Sequence, residues 1–148
     1  MQQKTNNNFI LALCITALIL LCTASILSPI RFDRERLQRE NVVMERLTKI
    51  KQAERAYFHA HGTFAPSLKT LTASGLLADS LTLIPYSDGE RFELETSVVT
   101  DKSGRETHTM ECGAQYQQYL KELDENSIAN LIEDANKSGQ YPGVMVRM

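Results

Sequence analysis

The side chains able to do chemistry are few and far apart in this sequence. Cys112 is the one thiol in the polar part of the chain, because Cys14 and Cys22 lie in an apolar run, so no disulfide is expected within the polar part. A nucleophilic thiol needs a histidine and a carboxylate close by to hold the thiolate. The spacing places neither beside Cys112, which reads as a buried free thiol. His59 and His61 are two apart on a helical pattern and so point in different directions, whereas a helical zinc pair needs a step of three or four. Asp88, Glu90 and Asp101 fall at turns, too sparse for a calcium loop. Glu93 and Glu95 share one strand face and are expected in water. No phosphate-binding loop, Gly-x-Gly-x-x-Gly, Gly-x-Ser-x-Gly or Cys-x-x-Cys occurs. No catalytic residue, cofactor site or metal ligand is therefore expected, and the chain is not read as an enzyme.

The elements that would carry these residues divide sharply. From Phe9 to Leu27 the chain runs nineteen residues without a charge, with Phe9, Leu13, Leu18, Leu21 and Leu27 along it. At 1.5 Å per residue that is about 28 Å of helix, close to the thickness of a bilayer's hydrocarbon core. Its thiols and hydroxyls can bond back to the helix backbone. A cleaved signal would have a shorter apolar core, more basic residues before it and a small-x-small site. Lys4 alone precedes this one. The expectation is a tail over 1–8, a single-pass transmembrane anchor over 9–30 and a globular domain over 31–148. All 18 acidic residues and all but one of the 16 basic residues lie at Arg31 or later, giving the remainder 15 − 18 = −3. That balance excludes a general phosphate-backbone binder, so no nucleic-acid partner is expected. Arg31, Arg34, Arg36 and Arg39 crowd the C-terminal side of the span, which by the positive-inside rule points the domain to the cytoplasm.

Ser28-Pro29 is expected to close or kink the anchor. A helix then follows from about Asp33 to His61. Leu37, Met44, Leu47, Ile50, Ala53 and Tyr57 recur at steps of three and four and predict the stripe that packs on a sheet, widened by Val43 and Phe58. Glu35–Arg39 and Glu45–Lys49 are i,i+4 pairs. Gly62 is placed to stop the helix. Ser67 caps a short second helix, with Leu68 and Leu71 inward and Gly75 at its end. Leu81–Ile84 reads as a short strand and 85–89 as a turn. Residues 91–100 and 106–114 read as a hairpin, with Phe92, Leu94, Thr96 and Val98 on one face and His108, Met110 and Cys112 on the returning face. Helical stretches over 116–123 and 127–136 and an edge strand near Tyr141–Val146 complete an α+β arrangement, a small antiparallel sheet packed on the long helix.

The stretch from Glu45 to Leu71 resembles the helix end of type IV pilins and type II secretion pseudopilins. There an Ala-rich helix ends in Tyr and is followed by Gly, an aromatic, Pro-Ser-Leu and Leu. Ala53, Tyr57, Gly62, Phe64, Pro66, Ser67, Leu68 and Leu71 match that pattern. The chain over residues 28–148 is similar to small uncharacterised single-pass proteins of the Bacteroidetes. They share Ser-Pro-Ile-Arg-Phe at 28–32, Ile-Pro-Tyr-Ser-Asp-Gly-Glu-Arg-Phe-Glu-Leu-Glu at 84–95, Tyr-Leu-x-x-Leu-Asp at 119–124 and Tyr-Pro-Gly at 141–143. The resemblance implies a pilin-like fold in the bacterial inner membrane, with the domain in the periplasm against the arginine count. It implies a structural or interaction subunit of a secretion or pilus-like assembly, whose partners are the lipid bilayer, other envelope proteins or further copies of itself. Asn8 stands where pilins carry the Gly of the processing site, and Leu13 where their mature helix carries Glu. The alternative function is a membrane-tethered module that binds a ligand or peptide.

Overall fold

A computed structural model describes the backbone of residues 3–100, 102 and 104–148, and the side chains of 8–23, 30–100, 102 and 104–148. The chain is α+β. Its elements are α1 (Gln3–His61), α2 (Leu68–Ala73), a 3-10 turn (Asp79–Thr82), β1 (Glu93–Thr100), β2 (Glu106–Gln115), α3 (Tyr116–Tyr119), α4 (Glu125–Ser138) and β3 (Gly143–Arg147). It divides into two units, 1–35 and 36–148.

In the first unit the described side chains from 8 to 23 are all exposed, Phe9, Leu13, Leu18 and Leu21 among them. Leu27 lies outside the described side chains. The Thr16 hydroxyl donates to the carbonyls of Ala12 and Leu13, and Thr23 to Leu20, so these polar groups are satisfied by the helix itself. Helix α1 continues through Pro29 instead of closing there. A proline removes one rung of the ladder, and the rungs on either side can still carry the helix. Among the described residues no helix is long and apolar enough to cross a membrane. Within the expected span the side chains of 9–23 and of Ile30 are described, and those of 24–29 lie outside the described ones.

The second unit is built around a three-stranded antiparallel sheet in the order β1-β2-β3. The β1–β2 register pairs Glu93 with Gly113 through Thr100 with Glu106. The β2–β3 register pairs Glu111 with Arg147 through Gln115 with Gly143. The core-facing side of β2 is the predicted one, with Met110, Cys112 and Ala114 buried. Helix α1 brings Val43, Leu47, Ile50 and Ala53 into the same core, and Phe58 sets its ring edge-on to His108 at 5.7 Å.

Of the predicted stripe on α1, Leu47, Ile50 and Ala53 are buried with Val43, whereas Leu37 and Met44 are not. Leu37 is 52% exposed and Met44 40%, while Val43 and Glu54 are fully buried. The buried positions 43, 47, 50 and 54 step by four, three and four. Leu37 and Met44 lie one residue to the side of that line. Tyr57 is half-buried and stacks on His61 at 4.1 Å.

Most boundaries follow local chemistry. Gly62 takes φ +74°, and its N–H closes α1 on the Phe58 carbonyl at 2.8 Å. Ser67 caps α2 through the Thr70 N–H. Asp124 caps α4 through the Ser127 N–H at 2.8 Å, and Gly139 ends it in the left-handed region. Residues 81–84 form no strand. The Thr82 hydroxyl turns back to the Asp79 carbonyl at 2.7 Å and tightens a 3-10 turn, leaving a single bridge between Leu83 and Arg91. The helix expected over 116–123 stops at Tyr119, because Glu122 adopts φ +72° and Asp124 already starts the next helix.

Candidate functional site

The most connected polar group in the second unit centres on Arg39. Its guanidinium donates to the carbonyls of Tyr119 at 3.0 Å and Lys121 at 2.7 Å, and lies 4.8 Å from the centroid of the Tyr86 ring. Those carbonyls follow α3, where a helix end leaves acceptors without intrahelical donors. Arg39 therefore does the work of a C-terminal cap from another element. The i,i+4 pair expected with Glu35 is not the one formed.

Around it, Lys121 bonds Asp88 and Glu90, each at 3.0 Å, and the Gln118 amide donates to Glu90 at 3.0 Å. The hydrogen bond from Lys121, then that from Gln118, holds the Glu90 carboxyl below its ordinary range. Asp88 and Glu90 in turn raise Lys121. Among the described residues the two non-glycine positions with positive φ, Tyr86 at +62° and Glu122 at +72°, both border this group. Backbone strain of that kind persists only where the surroundings hold it.

Beside Lys121 and Glu122 an open groove of about 530 Å³ runs between α3 and α4, floored by Leu123, Ile128 and Ile132. Its size suits a small ligand or a few apolar side chains.

Two further polar features lie inside the domain. The fully buried Glu54 accepts the Ala65 N–H at 2.9 Å through Oε2, while Oε1 is buried without a hydrogen-bond partner. Burial raises its carboxyl above the ordinary value, with the Ala65 bond opposing. Burial, and second the Glu54 charge, pushes the Cys112 thiol up to about 12, so Cys112 is a neutral core thiol. Nearer the start of the unit, Arg36 pairs with Glu40 at 3.7 Å, and burial raises Glu40 despite Arg36. The hydroxyl of the fully buried Tyr119 and the Arg36 Nε have no hydrogen-bond partner. Among the described residues no group of three or more His, Cys, Asp or Glu side chains is placed to hold a metal ion.

The residues of the motif expected from Ala53 to Leu71 gather at the end of α1. Phe64 is half-buried against Phe58, with ring centroids 4.7 Å apart, Pro66 is exposed, and Leu68 and Leu71 are buried. Ala65, between Phe64 and Pro66, is fully buried and is the residue Glu54 holds. Sequence reasoning missed both Glu54 and Arg39. A charge at the register position that follows Val43, Leu47 and Ile50 was the available signal for Glu54. Arg39 gave none, since its carbonyl partners are eighty residues away.

No family model, curated protein or solved structure matches the chain.

Proposed function

We propose that this chain is a membrane-anchored structural or interaction subunit of a bacterial envelope assembly, of secretion or pilus-like type. In this reading the helix over 9–30 is held in the inner membrane, and the pilin-like domain over 31–148 lies in the periplasm. The observation that carries the proposal is the uncharged run of nineteen residues from Phe9 to Leu27, with its described side chains exposed along α1. A water-soluble helix of this length would show charges on at least one face. Exposed Leu37 and Met44, seven residues apart, add an apolar line on α1 that the domain's own core does not cover. The match over Ala53–Leu71 supports the pilin-like part of the reading.

Expression of the full chain with a C-terminal reporter active only in the periplasm, beside one active only in the cytoplasm, tests the orientation. Membrane retention after alkaline extraction tests the anchor. Periplasmic activity with retention is the expected result. Release into the soluble fraction, or a cytoplasmic reporter signal, overturns the reading. The groove between α3 and α4 favours a second reading, a tethered module binding a small ligand or peptide. Ligand-dependent protection of Lys121 from amine modification, with no envelope protein captured by crosslinking, would favour it over the first.

A further inference from the structure

The free edge of the sheet is complementary to itself. The Met110 N–H donates to the Met148 carbonyl at 2.9 Å, and the Met148 N–H returns to Met110 at 2.8 Å. Met110 thus turns both backbone groups toward the β3 side. Thr96 lies opposite Met110 across β1–β2, so this is a pair without mutual hydrogen bonds, and Thr96 turns its own N–H and C=O away from β2. By the two-residue period Leu94, Val98 and Thr100 do the same. Phe92 has the same parity, and its N–H donates outward to the Thr82 carbonyl at 3.0 Å. The segment around Thr82 therefore covers the edge at Phe92. From Leu94 onward no described strand lies on that side.

The uncovered run Leu-Glu-Thr-Ser-Val-Val-Thr, 94–100, carries little of what blunts an edge. It holds no Pro, no Lys and no bulge, and one charge. Val98 is 54% and Val99 59% exposed. The run is centred on Ser97. We infer that β1 pairs with β1 of a second copy of this chain, antiparallel about a two-fold axis at Ser97, joining two three-stranded sheets into one. In that register Leu94 meets Thr100 of the second copy, Thr96 meets Val98, Ser97 meets Ser97, and Glu95 meets Val99. Opposed residues share a face, β-branched side chains meet one another, and no like charges oppose. Four residues of each copy point two groups outward, which gives about eight backbone hydrogen bonds. The pairing needs nothing from the membrane anchor, so it can fail or hold independently of the proposed function.

A thiol at the symmetry centre tests this. In the Ser97 pair the Cα atoms would be about 4.5 Å apart, within disulfide reach. The full chain carrying Cys14→Ser, Cys22→Ser and Ser97→Cys, in detergent with a mild oxidant, should form roughly tenfold more disulfide dimer than the same background with Glu125→Cys on exposed α4. Adding Val98→Pro removes only an outward N–H, which an edge strand tolerates, and should abolish the excess with thermal unfolding unchanged. Val98→Lys should do the same if the proline variant fails to fold. Equal dimer from Glu125→Cys, an excess that survives both Val98 variants, or crosslinking in cells to a different chain in place of a second copy would each overturn the inference.

Discussion

Replacing Glu54 by Gln should stabilise this protein at neutral pH and flatten its pH dependence. Glu54 is fully buried; Oε2 is held by the Ala65 N–H at 2.9 Å, and Oε1 has no partner. Its folded pKa is raised from 4.5, first by burial, with the Ala65 hydrogen bond as the smaller, opposing influence. A raised carboxyl binds its proton more tightly when folded than when unfolded. Its stabilising contribution is therefore complete below the unfolded value of 4.5 and is lost as pH rises through the folded pKa. Above the unfolded value, the burial that raises this carboxyl costs the folded state stability relative to a neutral group. Gln keeps an oxygen for the Ala65 N–H and removes the charge, leaving an unpaired amide where Oε1 was.

An unsatisfied buried polar group costs about 1–3 kcal/mol, and more when charged. The gain expected from Gln at pH 7.5 is the difference, about 1 kcal/mol. For a domain of this size that raises Tm by roughly 4 °C. Glu54→Ala should instead lose about 2–4 kcal/mol, because it strands the Ala65 N–H and opens a cavity beside Cys112. Thermal unfolding of the full chain in detergent, followed by circular dichroism from pH 4.5 to 8, measures both. If Glu54→Gln were less stable than the wild type at pH 7.5, with the pH slope unchanged, the carboxylate would be a net stabiliser and the reasoning would be wrong.

Arg39→Met keeps the apolar stem but removes the donors to Tyr119 and Lys121. It should cost about 2 kcal/mol in denaturant unfolding, the range for hydrogen bonds from a charged donor. Gly143→Ala would drive a Cβ into the Ala114 carbonyl and the Gln115 backbone, neither of which is a flexible side-chain end. A loss of about 2–3 kcal/mol is expected, with faster amide exchange at Met148, which bonds Met110 beyond the pinched rung.

How far the sequence could be read depended on the range of the forces at each position. Ser67, Asp124, Gly62 and Gly139 act within a turn or two of themselves, and three of the four were legible: Ser67 as a cap, and Gly62 and Gly139 as stops. Asp124 was passed over for a start at Ser127, the residue whose N–H it caps. The hairpin over β1 and β2 was legible because alternation and a turn signal coincide there. The 3-10 turn at Asp79–Thr82 was misread as the start of a strand. The apolar letters of Leu81–Ile84 are the same in either state, and the Asp79–Arg91 pair that fixes the turn at 2.8 Å spans twelve residues. The α1 stripe was legible at Val43, Leu47, Ile50 and Ala53, but following apolar letters also took in Leu37 and Met44, which are exposed. The buried line runs instead toward Glu54.

The polar residues along that line have a structural consequence. The face of α1 turned to the domain is apolar where it meets the core and polar where it meets loops. Val43, Leu47 and Ile50 carry the core, while Arg39, Arg46 and Glu54 bond the backbone at Tyr119 and Lys121, at Leu83, and at Ala65. Each of these loop segments would otherwise leave peptide groups to water or unpaired. Apolar burial alone would allow the loops several positions at similar free energy, since it has no direction. A side chain that reaches one particular carbonyl or N–H has a direction and selects one position, at the expense of burying polar atoms. The orphan Oε1 of Glu54 is that expense made visible. The domain-facing line passes through the half-buried Arg36 beside Leu37 and the buried Val43 beside Met44, which leaves Leu37 and Met44 exposed on α1.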